Sequence, residues 1–133
     1  MKIVLFFIVL ASSVVSYGQH DHKISTIDFV QILNDNKKEA IYYYQNNWKV
    51  LRNMAIEKKY IESFQILETS ANEAAPFHLM LITTYLNEEQ YKLREDHFSE
   101  LIKEKGKLKL LNDKKPGAFR KVLYSKERSL HWK

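Results

Sequence analysis

Residues 77–86 read FHLMLITTYL. The stretch has a period of two: Phe77, Leu79, Leu81 and Tyr85 alternate with His78, Met80, Ile82 and Thr84. A strand with one face in water shows apolar residues on a single side. Here both sides are apolar, so both must be covered. The stretch therefore predicts an inner strand, with helices against one face of its sheet and something else against the other.

Working outward, Asn87 is placed to cap a second helix, with Gln90 at the capping-box position and Glu88 and Glu89 at its positive end. Tyr91, Phe98, Leu101 and Ile102 form its apolar stripe, and Gly106 is its stop. Upstream, YIESFQILETS at 60–70 predicts a strand from Ile61 to Thr69, and ANEAAP at 71–76 a loop. Before that, Ile41, Tyr44, Trp48, Leu51 and Ala55 recur at steps of three and four. That spacing predicts a long amphipathic helix to about Lys59, opened by Asn36 with Glu39 three residues on. A first strand is expected at Ile27–Leu33. A linker at 107–117, with a helical turn through Leu108–Leu111, and a last strand from Ala118 complete the chain. The order strand, helix, strand, strand, helix, strand is the split βαβ or ferredoxin-like pattern. The expected fold is thus α+β: a four-stranded antiparallel sheet over residues 24–128 carries two helices on one face, and 129–133 form a C-terminal tail.

With the aromatic helix IYYYQNNWKVLRNMAIEKKYI running into SFQIL, and HLMLITTYLN before the second helix, the chain resembles the dimeric α+β barrel superfamily. That superfamily includes the antibiotic-biosynthesis-monooxygenase-like and NIPSNAP-like domains. The resemblance implies a homodimer whose two sheets join, with room for a small hydrophobic ligand. It also keeps open a small cofactor-independent enzyme, oxygenase- or isomerase-like. The family often has glycine between the first helix and second strand. This chain has EKKYI at 57–61, so that helix end must close another way.

Residues 1–19, MKIVLFFIVLASSVVSYGQ, join a basic Lys2 to an apolar run and then small residues. This is the layout of a signal peptide, with Ser16 and Gly18 preceding a cut after Gly18. A spanning helix needs ~20 mainly apolar residues, and Ser12, Ser13 and Ser16 interrupt too early. The expectation is a secreted or periplasmic protein with no stable membrane insertion after cleavage, and a disordered start at 19–23. His20, Asp21 and His22 then read as part of that loose end, not a metal site. There is no cysteine, so no disulfide framework or thiolate site exists. The net charge is +5, but acids lie among the bases along the chain, and no nucleic-acid partner is expected.

No nucleophile elbow, phosphate loop or HExxH pattern is present, and no cofactor is implied. Four residues remain as ligand-binding candidates. His78 would sit on the Met80/Ile82 face, at the mouth of a barrel. Tyr44 and Trp48 read first as core and second as a ligand platform. Arg120 lies on the last strand, where an inward guanidinium would be unusual. Without a paired acid and base, the sequence points to an exported module that binds a small molecule or partner without catalysis. Intact-mass measurement of protein recovered from the export compartment should show a chain beginning at Gln19; a mature species retaining Met1 would refute the leader.

Overall fold

The computed structural model describes residues 20–133; the leader expected at 1–18, and Gln19, lie outside the described residues. The sheet has four strands in the order β2-β3-β1-β4, with every neighbouring pair antiparallel. They are β1 (His20–Ile32), β2 (Ser63–Glu68), β3 (Leu79–Tyr85) and β4 (Arg120–Trp132). One helical rod links β1 to β2: α1 (Lys37–Tyr43), a π-helical segment (Tyr44–Trp48) and α2 (Lys49–Glu57). After β3 come α3 (Glu88–Lys92) and α4 (Arg94–Lys105), and a short α5 (Pro116–Phe119) precedes β4.

The FHLMLITTYL stretch is the inner strand its two-sided apolarity requires. Leu79, Leu81 and Tyr85 are buried beneath the helices, against Tyr44, Ala55, Tyr91 and Leu101. Val30 and Ile24 of β1 join them from across the register, opposite Leu79 and Tyr85. Phe77 was expected on this side but lies on the other, 4.8 Å from the Phe29 ring. It precedes the first paired residue, Leu79, so the strand's alternation does not bind it.

Both predicted tails are strand. β1 begins at His20, not Ile27, and β4 runs to Trp132, because His20 pairs with Trp132 across the ladder and their rings meet at 3.9 Å. Register shifts in β1–β4 let these two long strands stay paired. The Asn36 cap does not form. Its amide instead donates to the Ala118 carbonyl, and Glu39 accepts from Asn112. The Asn87 cap forms as expected, accepting from the Gln90 N–H at 2.9 Å. The second helix breaks at Leu93 into α3 and α4, and Ile102 of its expected stripe is 55% exposed. Residues 108–111 form no helical turn, and Phe119 is buried in α5 rather than starting a strand. Among the described residues no helix is long and apolar enough to cross a membrane.

The missing glycine after the first helix is replaced by strain. Lys59 takes φ 58°, its N–H bonds the Ile56 carbonyl at 3.0 Å, and the Tyr60 N–H reaches back to Ala55 at 2.8 Å. This is the Schellman closure, normally made by glycine. A left-handed lysine costs roughly 1–2 kcal/mol, and glycine's added chain entropy returns part of that. Lys59→Gly should therefore raise stability by about 0.5–1 kcal/mol in chemical denaturation; a destabilised variant would refute this account of the helix end.

Candidate functional site

One cavity lies between the π segment of the helical rod and the sheet. A π-helical turn holds one more residue than an α turn and recurs at functional sites. Here Tyr44, Asn47 and Trp48 of the π segment face the sheet together and line a pocket of about 300 Å³. Its floor is Asp28, Leu81 and Val122, and its far wall is Ile102, Lys105 and Leu108. Val122 is 41% exposed, so the helices leave this part of β4 uncovered. Arg120 closes one end beside Tyr43.

Asn47 fixes the far wall. Its amide donates to the Tyr43 carbonyl at 2.9 Å and the Lys109 carbonyl at 2.8 Å. Its Oδ1 accepts from Lys105 Nζ and the Lys109 N–H, each at 2.8 Å. All its capacity is used, and the loop after α4 is thereby clamped to the helix. Gly106 makes the turn possible at φ 80°. Sequence reasoning passed over Asn47 because an asparagine inside an amphipathic helix reads as a solvated position.

The charges of the pocket are unpaired. Among the described residues, no ion pair involves Asp28, Lys105 or Arg120. Arg120 donates through Nη2 to the Tyr43 hydroxyl at 3.4 Å, and its buried Nε has no partner. Asp28 accepts from the Ser125 hydroxyl. Burial, and then the neighbouring Lys109, lowers the proton affinity of Lys105. Burial pushes the Tyr44 hydroxyl far above its usual range, with the Arg120 charge opposing that rise. The structure thus brings together three of the four candidates: Tyr44, Trp48 and Arg120 line one cavity.

His78 stands apart. Its Nδ1 accepts from the Ile32 N–H at 2.9 Å, while its backbone bonds Val30 and Thr69. It ties the end of β1 to the edge of β2–β3, which is a structural duty. Arg52, one turn after Trp48, is sandwiched between Trp48 and Phe98, its guanidinium carbon 4.2 and 4.3 Å from the ring centres. Its Nε donates to Thr83, and burial lowers it to about 10, so it stays charged near neutrality.

A second polar cluster was not visible in sequence, because its members are 59 and 106 residues apart. Ser25 Oγ lies 2.7 Å from both Thr84 Oγ1 and His131 Nε2. A serine–histidine contact is the start of a nucleophilic site. Here no carboxylate among the described residues lies within ion-pair reach of His131, and Ser25 sits inside a ladder paired on both sides. The backbone donors an oxyanion needs are therefore already committed. No group of metal-ligating side chains occurs among the described residues. No family model, curated protein or solved structure matches the chain.

Proposed function

We propose that this chain is an exported, non-catalytic α+β module that binds a small, largely apolar molecule between its helical rod and β4. The observation that carries this reading is the convergence of Tyr44, Trp48 and Arg120 on one cavity of about 300 Å³. That volume is at the small end of ligand sites, which span ~300–1,000 Å³ with mainly apolar walls and a few placed polar groups. The enzyme alternative has less support, since neither the pocket nor the Ser25–His131 contact joins an acid, a base and a nucleophile. N-phenyl-1-naphthylamine, a neutral apolar fluorophore, should bind saturably, and Val122→Trp should abolish its emission by filling the pocket. Undiminished binding to a folded Val122→Trp protein would remove the pocket as the site.

The ferredoxin-like and dimeric-barrel readings belong to the same proposal. The strand order β2-β3-β1-β4 and the alternation of helices with strands favour the first. The second is favoured by the free face of the sheet. Ile27, Phe29, Met80 and Ile82 form its half-buried centre, and Leu67 and Tyr124 are 43% and 47% exposed beside them. The helices pack on the opposite side of the sheet, Phe77 meets this face at Phe29 and Tyr124, and an apolar patch of this kind marks an interface. A second copy turned by a two-fold axis presents the same apolar centre, as an isologous contact requires. Sedimentation should show a dimer that Met80→Glu converts to monomer; a wild-type protein monomeric across a wide concentration range would refute it.

A further inference from the structure

We propose that the ligand of this pocket is an amphipathic monocarboxylate. Arg120 and Lys105 receive its acid group, and its ring or branched body packs on Tyr44, Trp48 and Leu81. The inference rests on the small-molecule reading above and names the ligand's chemistry.

The first argument is an unmet demand. A guanidinium carries five N–H donors. Arg120 makes a long contact to Tyr43, and its buried Nε donates to nothing. That Nε has almost no exposed surface, so the donors an incoming acceptor meets are the Nη groups, whose single contact among the described residues is the long one to Tyr43. Lys105 repeats the pattern: it holds Asn47 Oδ1 and the Lys107 carbonyl, both neutral, and no carboxylate.

The second argument is placement. Arg120 pairs with Ile32, while Asp28 lies four residues further along β1. At ~3.3 Å per residue this separates their backbones by about 13 Å. Asp28, already accepting from Ser125, lies toward the other end of the floor and neither neutralises Arg120 nor blocks it. The field agrees. Between Lys103 and Lys121, the segment that frames the cavity, eight residues are basic and two, Glu104 and Asp113, are acidic. Such a cleft attracts anions over distance.

The third argument selects the anion. A planar carboxylate matches the guanidinium fork, and one negative charge suits walls that are otherwise tyrosine, tryptophan and aliphatic. A phosphate also fits that fork, but its second charge would lie against the same apolar walls and is less well matched there.

The test uses 15N-labelled protein carrying Trp132→Phe, so that the Trp48 indole is the single tryptophan side-chain signal. Benzoate and 2-naphthoate are titrated against their neutral partners, benzyl alcohol and 2-naphthylmethanol. The acids should shift the Trp48 signal saturably, about tenfold or more tighter than the alcohols, as a charge-assisted bond implies. Arg120→Met should erase that preference, Arg120→Lys should restore part of it, and added salt should weaken it. Asp28→Asn should tighten acid binding by removing a like charge. Equal affinities for acids and alcohols would overturn the carboxylate assignment while leaving the pocket reading intact. So would an Arg120→Met protein that keeps the spectrum of a folded chain and the full preference. Probes that bind without moving Trp48, or do not bind at millimolar concentration, would overturn both. If Arg120→Met does not fold, Lys105→Gln decides: a retained preference with no loss of acid affinity counts against the proposal.

Discussion

Four hydrogen bonds converge on the side chain of Asn47, and the pocket exists because of them. Without them the loop after α4 would have no fixed distance from the helix, and Lys105 would point into water. Tyr44, Asn47 and Trp48 stand at i, i+3 and i+4 of the rod, so they share the face that meets the sheet. Tyr44 then spans both roles, packed on Val30, Leu79 and Leu81 in the core while also facing the cavity.

Around that centre the protein tolerates charges that do little for its stability. Arg52 sits between two rings with Thr83 as its neutral partner. Removing a guanidinium from water costs several kcal/mol, and only good partners offset it. Cation–π contact with two aromatic faces returns about 2 kcal/mol or more when desolvated, which makes this placement tolerable. Arg120 has one ring, 5.2 Å away, and less compensation. The two arginines differ in this way: one is satisfied by the core it helps to build, and the other is left with capacity facing a cavity.

The fold was legible in this chain where periodicity was strong. Alternation in FHLMLITTYL located the inner strand and its buried residues, and the three-and-four spacing from Ile41 to Ala55 located the rod. Where pairing partners are remote, local pattern was silent. His20–Lys23 became strand through contact with the far end of the chain, and the break at Leu93 has no proline or glycine to announce it. Asn36 was a sound cap by composition, but the Ala118 carbonyl and Lys114 captured its side chain instead. The same division holds for the site. Tyr44 and Trp48 could be placed on one helical face from their spacing, but their meeting with Arg120 depended on the sheet register, which leaves no mark in one sequence.

The two sides of the sheet also separate two requirements. The apolar centre at Ile27, Phe29, Met80 and Ile82 and the pocket over Asp28 and Val122 use alternate residues of the same strands. Neighbouring side chains on a strand point to opposite faces, so a change at Met80 need not alter the residue that meets a ligand. β4 is the strand where this separation is weakest. Its register shift opposite Phe29 and Val30 brings Tyr124 across from one and Val122 across from the other. Tyr124 then packs on Phe29 at 4.8 Å, on the free face, while Val122 floors the pocket. A bulge bends a strand and re-aims its side chains. In this sheet the extra residue, Leu123, lets one short segment serve both faces, so the pocket and the free face share a mechanical link at that point and at no other position where β1 and β4 keep simple register.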